Sequence, residues 1–135
     1  MKYFSLLIIS VLIFSCSGNN DNDDSKTDVE SEGFAIMTFE KTEHNFPTIK
    51  EGDIVSHEFK FKNTGNVNLN IVSVQATCGC TTPEYSKEPI PPGGAGKIKV
   101  TFDSKGRPGN NGKKIQIIYN GNPKVTFLKI TANVQ

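Results

Sequence analysis

The sequence has no tryptophan, three cysteines, two histidines and two methionines among its 135 residues, and each shortage excludes something. Three cysteines are too few to staple a disulfide scaffold, and they lack the four-ligand spacing of a structural zinc site. Only Cys78 and Cys80 lie beyond the first sixteen residues, so an inter-sheet disulfide packed on an indole, as in antibody domains, is ruled out. Two histidines, no Gly-x-Ser-x-Gly elbow and no paired-carboxylate spacing leave no nucleophile and base that the sequence alone places together, and the reading is non-enzymatic, with no cofactor. Hydrophobic residues at 36%, charged residues at 21%, 12 Gly and 7 Pro exclude a coiled coil, a collagen and a multi-span membrane protein. A mass of 14.8 kDa accommodates one ordinary domain and a tail.

What is present begins with Lys2 and an apolar run from Tyr3 to Phe14 broken by two serines. A positive end followed by an apolar segment has the form of a signal peptide over residues 1–15. The run is about 12 residues, short of the roughly 20 that span a bilayer as a helix. Ile13-Phe14-Ser15-Cys16 resembles the bacterial lipobox, in which the cysteine is acylated on sulfur and becomes the new N-terminus. The resemblance implies that Cys16 is a lipid attachment point and the membrane a partner, since two or more acyl chains hold a protein stably where one does not.

Residues 16–33 follow as an acidic tether. Six acids (Asp21, Asp23, Asp24, Asp28, Glu30, Glu32) stand against Lys26, with Val29 as the one aliphatic side chain, a composition unable to bury enough apolar surface to order itself. Its net charge is −5, while residues 34–135, with thirteen Lys/Arg and eight Asp/Glu, carry +5. Acids soon after a lipid cysteine resemble the surface-export signal of Bacteroidetes lipoproteins. The expected location is therefore the outer membrane, facing the periplasm or the cell surface, and nucleic acid is not an expected partner.

From Phe34 onward the dominant period is two. Val55, His57, Phe59 and Phe61 alternate with Ser56, Glu58, Lys60 and Lys62, and Ile98, Val100 and Phe102 alternate with Lys97, Lys99 and Thr101, the mark of antiparallel strands with one wet face. The phase slips within Leu69-Asn70-Ile71-Val72-Ser73-Val74 and again at Phe127-Leu128, which predicts a bulge or a change of sheet at each. Turns are expected at residues 50–53, 63–66, 91–94, 106–112 and 120–123. The pattern predicts an all-β, immunoglobulin-like sandwich of about seven antiparallel strands over residues 34–135. Its core is expected to rest on Phe39, Phe46, Phe59, Phe61, Phe102, Phe127 and β-branched residues.

Phe59-Lys60-Phe61-Lys62-Asn63-Thr64-Gly65, Ala76-Thr77-Cys78-Gly79-Cys80-Thr81-Thr82-Pro83, Pro92-Gly93 with Gly96-Lys97-Ile98-Lys99-Val100-Thr101-Phe102, and Ser104-Lys105-Gly106-Arg107-Pro108-Gly109 occur in that order. Together they resemble the bacterial domain-of-unknown-function family fifteen-seventy-three over nearly all of residues 39–134. The resemblance implies a sandwich related to the pilus chaperone, major sperm protein and abnormal-spindle/hydin group, and it brings no activity. His44-Asn45-Phe46-Pro47 departs from it, standing where members commonly carry Asp-Phe-Gly.

Three groups of residues are candidates for chemistry. Cys78 and Cys80, separated by one glycine, can close a small disulfide that fixes a loop edge, serve as a redox pair, or offer soft sulfur to Cu(I) or zinc. Their only possible soft or borderline metal partners elsewhere are His44, His57 and Met37. Lys105, Arg107, Lys113 and Lys114 edge a glycine-rich segment that lacks the spacing and following helix of a phosphate-binding loop; it is expected to be a hairpin loop able to contact anionic lipid or polysaccharide. His57, on the face of Phe59 and Phe61, is expected to be a core or edge histidine. The leading expectation is a lipid-anchored binding or structural module for a protein or glycan partner, with thiol-redox or copper handling as the alternative.

Overall fold

Period-two alternation resolves into strands. The computed structural model, which describes residues 33–135, contains β1 (Met37–Phe39), β2 (Glu43–Asn45), β3 (Ile54–Asn63), β4 (Ile71–Ala76), β5 (Thr81–Tyr85), β6 (Ala95–Asp103), β7 (Gly109–Tyr119) and β8 (Val125–Val134). They form two four-stranded sheets, ordered β1-β3-β6-β5 and β2-β8-β7-β4. The all-β, immunoglobulin-like architecture is as expected. There are eight strands because residues 37–45 supply two three-residue strands that join different sheets, β1 on β3 and β2 on β8. The β2–β8 pair is parallel, so the sandwich is not wholly antiparallel. Cys16, the signal segment and the tether up to residue 32 lie outside the described residues.

The inward faces make the core. Phe59 and Phe61 of β3 and Ile98, Val100 and Phe102 of β6 meet Ile115, Ile117 and Tyr119 of β7 and Leu128, Ile130 and Val134 of β8, all buried. Each such burial contributes roughly 1.5–3 kcal/mol relative to an exposed side chain. Phe39 and Phe46 are half-buried at its margin.

The predicted slip in β4 is a bulge: the register shifts between Ile71 and Ser73, and Val72 swings out to 66% exposure. The slip predicted at Phe127-Leu128 does not occur. β8 pairs with β7 without a break from Val125 to Val134, so Phe127 takes its turn on the outer face and Leu128 points into the core. Phe127 is therefore not a core residue; the Lys114 ammonium, 3.8 Å from its ring centroid, caps it instead. The segment expected as a 106–112 hairpin loop also differs. β6 and β7 belong to different sheets, and the crossing between them ends at Pro108, because Gly109–Gly112 pair with residues 131–134 as strand.

Buried polar groups pin both ends. Asn63, fully buried, donates from Nδ2 to the carbonyls of Val67 (2.7 Å) and Ile90 (3.0 Å), while its Oδ1 accepts from the N–H groups of Ile36 (3.3 Å) and Gly65 (3.0 Å). A Cβ at position 65 would collide with the Phe34 carbonyl, which is why the turn needs glycine there. At the other end Ser104, also fully buried, directs its hydroxyl at the carbonyls of Lys50 (3.0 Å) and Asp53 (2.8 Å). Asn63→Ala strands the Ile36 and Gly65 N–H groups and the Val67 carbonyl at once, the Ile90 carbonyl keeping the Leu69 N–H, and a buried polar group left unpaired costs about 1–3 kcal/mol. The expected loss is about 3–5 kcal/mol, read as a lowered urea midpoint at unchanged slope; a loss under about 1 kcal/mol would show that the network is dispensable.

Candidate functional site

The loop between β4 and β5 carries the chain from one sheet to the other, and the cysteines sit in it. Cys78 and Cys80 are joined as a disulfide with Cα atoms 5.3 Å apart. Cys80 is buried and Cys78 half-buried, with the Thr81 hydroxyl 3.8 Å from the Cys78 sulfur and 3.7 Å from the Cys80 sulfur. The Asp103 N–H bonds the Cys80 carbonyl, which starts the β5–β6 ladder immediately after the bridge. The bridge thus staples the crossing between sheets, and of its two residues Cys78 is the more exposed.

The four basic residues do not form one patch. Lys113 and Lys114 are neighbours on a strand, so they point to opposite faces. The Lys113 ammonium reaches inward to 6.0 Å from the Phe102 ring centroid, while that of Lys114 lies over Phe127 on the outer face. Lys105 and Arg107 remain in the β6–β7 crossing. That crossing is tied down by the Lys105 N–H to Asp103, the Gly106 N–H to Glu51 and the Asn111 amide to the Arg107 carbonyl. Arg107 Nε is buried without a hydrogen-bond partner among the described residues.

Residues that the sequence reading did not single out complete a different site. Lys114 stands directly opposite Lys129 on the outer face of the second sheet. The two ammonium groups part, Lys114 toward Phe127 and Lys129 toward Glu43 at 4.0 Å. Beside them on the same face Gly112, opposite Thr131 and with open space where a side chain would stand, helps leave a hollow of about 380 Å³, also lined by Thr42, Glu43 and Phe127. Phe127 is 43% exposed. An apolar ring between two cations, open to solvent, can take an anionic group and a flat apolar surface together. The alternation of Phe127 against Leu128 was the signal that could have placed this ring outside.

His57 lies on the inward face as expected, and its ring stacks on that of His44, centroids 3.6 Å apart and planes 6° from parallel. Burial holds both imidazoles below their ordinary value; Lys41 adds to this for both, and the His44 ring adds to it for His57, against a small opposing pull from Glu58. Met37 is buried in the core, and no group of three or more His, Cys, Asp or Glu is placed to hold a metal among the described residues.

The family model described as Protein of unknown function (DUF1573) matches residues 37–134. The chain belongs to the DUF1573 family. No curated protein is significantly similar to it in sequence. Among solved structures, this DUF1573 chain is similar to a protein of unknown function from Porphyromonas gingivalis (18% identity, TM-score 0.61), covering 75% of this chain and 46% of that one. The chain thus spans less than half the length of that relative. It is also similar to the ASH/PapD-like domain 7 of human CEP192 (11% identity, TM-score 0.63, covering 76% and 87%). A third similar structure is the MSP-domain protein SSP-19 of Caenorhabditis elegans (10% identity, TM-score 0.54, covering 71% and 98%). At these identities the likeness shows the fold, an immunoglobulin-like sandwich of the PapD/MSP kind.

A ring closed over one intervening residue restrains little of the unfolded chain, so losing the bridge through the double substitution Cys78→Ser and Cys80→Ser should cost only about 1.5 kcal/mol by loop-closure entropy. Calorimetry of wild-type and variant measures it. After mild reduction Cys78 should alkylate well before buried Cys80, as read by peptide mass spectrometry; equal rates would refute the unequal exposure of the two cysteines.

Proposed function

We propose that this chain is a membrane-anchored lipoprotein of the cell envelope, held by lipid on Cys16, whose sandwich is a non-enzymatic binding module for a protein or glycan. The observation that carries this reading is the open hollow of Phe127, Lys114, Lys129 and Gly112 on the outer face of the second sheet. Binding sites typically combine an accessible apolar ring with a few placed charges.

The sheet edges favour recognition by a face over recognition by strand addition. β1 and β2 are three residues long, and the bulge at Val72 distorts β4. On β5 the ladder bonds to β6 alternate from Cys80, which turns Pro83, a residue with no N–H, toward the free side. Short strands, bulges and an outward proline are the usual ways of blunting an edge. A partner therefore meets the Phe127 face and its flanking loops.

A second reading, thiol exchange at Cys78–Cys80, is favoured by Cys78, which is only partly buried, and opposed by the burial of Cys80. Equilibration with glutathione buffers tests it: a bridge that stays closed at the most reducing poise cannot cycle.

The main reading is tested in cells with a photo-cross-linking amino acid at position 127, and with a control at exposed Ser56 on the opposite sheet. A discrete adduct at 127 that is missing at 56, and that Lys114→Glu abolishes, is the expected outcome; equal labelling at both positions would refute the face. Cys16→Ala should move the protein out of the membrane fraction or leave it unprocessed, and a variant still in the membrane at mature size would refute the anchor.

A further inference from the structure

Two imidazoles meet across the seam between the sheets. His44 comes from β2, a three-residue edge strand of the second sheet, and His57 from β3 of the first. Phe46 stands perpendicular to His44 (4.5 Å between centroids, 82°) and Phe59 perpendicular to His57 (4.7 Å, 82°), each beside the 3.6 Å stack. Parallel ring planes at this separation direct their nitrogen lone pairs into two different planes, so the pair in this arrangement cannot share one metal ion. What it can do is respond to protons.

The surroundings offer an imidazolium little compensation. On β8 and β6 the cross-strand neighbours of His44 and His57 are the apolar residues Ile130 and Val100. Next in the same inward row on β7 is Lys113, another cation, with its ammonium carried to Phe102. Lys41, in the segment before β2, lowers the proton affinity of both rings. Glu40, Lys41, Glu58 and Lys60 line the hollow beside His57, and of these Glu58 already accepts a 2.7 Å hydrogen bond from the Lys97 ammonium. Glu43, on the solvent side of β2, leans toward Lys129.

The segment that His44 anchors is an edge whose far end is held firmly, by the buried Ile49 side chain, by Ser104 on the Lys50 carbonyl and by Glu51 on the Gly106 N–H, so that only residues 42–47 are lightly held. From Thr42 to Glu51 it runs along β8 through hydrogen bonds donated by Lys129 to the Thr42 carbonyl, Phe46 to Thr131, Ile49 to Asn133, Gln135 to Ile49 and Glu51 to Gln135, with a further bond from the Thr131 hydroxyl to Asn45. A short edge segment of this kind belongs to the part of a fold that opens locally at the lowest cost.

We propose that the His44–His57 stack is a pH-operated clasp: neutral, it fastens residues 42–47 of the second sheet to the first; doubly protonated, it releases that segment from β8 while the rest of the sandwich, Ile49 and the Ser104-pinned end included, stays folded. Two cations face to face at 3.6 Å with Lys41 beside them repel, and leaving the seam returns both to water. The sign follows from linkage. The open segment takes up protons at the ordinary histidine value and the closed one only below it, so closure is complete above about pH 6.5 and is lost as pH falls through the lower values of the stacked rings. Within that window, opening becomes up to roughly tenfold more favourable per pH unit for each proton bound. The clasp is independent of what the Phe127 face binds.

The test uses the purified full chain. Carbon-13-resolved NMR should show both histidines titrating below pH 6.5, and hydrogen exchange corrected for intrinsic rates should show peptides over residues 42–47 losing protection between pH 7.5 and 5, by up to roughly tenfold per pH unit for each proton bound, with β6 and β7 unchanged. Replacing both rings, His44→Phe with His57→Phe, should abolish this pH dependence. The clasp is overturned by either histidine titrating at or above 6.5, by residues 42–47 keeping their protection in acid, or by the whole domain losing protection together. The wild-type titration decides the matter by itself if the double variant does not fold.

Discussion

The structure depends on one buried amide. Asn63 offers two donors and one twice-accepting oxygen, and all four capacities are used on backbone groups from three segments: the entering chain at Ile36, the turn at Gly65 and Val67, and the Leu69–Ile90 bridge through the Ile90 carbonyl. Its own backbone adds bonds with Gly93 and Gly94. Aspartate has the same shape but no N–H and a charge to bury, and leucine fills the space while leaving the Ile36 and Gly65 N–H groups and the Val67 carbonyl unpaired. One side chain thereby fixes where β3 ends, where the chain enters and how the first sheet meets the loop before β6. Ser104 does a smaller version of the same work at the opposite end, drawing residues 50–53 under the β6–β7 crossing.

With both ends pinned and the middle filled by Phe, Ile, Leu and Val, the interior has no room for chemistry. The groups that can act lie at the margins: the bridge at the β4–β5 crossing, the Phe127 face, and the histidine pair at the β2–β3 seam. The bridge and His44 sit on a crossing and a three-residue edge strand, whereas Phe127 and His57 sit on long strands paired throughout. Lys114 and Lys129 illustrate the cost of such a margin, since like charges directly opposite on a sheet repel. The side chains divide between Phe127 and Glu43 to reduce it, and their division opens the hollow.

Much of this was legible in the residues. The alternation through Val55–Lys62 and Lys97–Phe102 places each side chain on the face where it is found, and the slip at 71–73 is a real bulge. The slip at Phe127 was not one, because an aromatic residue on an outer face reads like a core residue out of phase when the cation that caps it lies thirteen positions away on another strand. The hairpin expected between residues 106 and 112 failed for a related reason. Glycine and asparagine mark a turn by conformational freedom, yet Gly109–Gly112 face β8 and pair with it as strand.

The sequence by itself determined the fold class, the inward and outward sides of the long strands, the cysteine spacing that allows a bridge over one glycine, and the family to which the chain belongs. Those properties are local, or repeat with the period of a strand, so neighbouring residues suffice to express them. Only the tertiary structure decided that β2 lies parallel on β8, that His44 meets His57, and that Lys114 and Lys129 flank Phe127. These are contacts between segments whose meeting depends on how the two sheets stack, and stacking is set by the packing of the whole core.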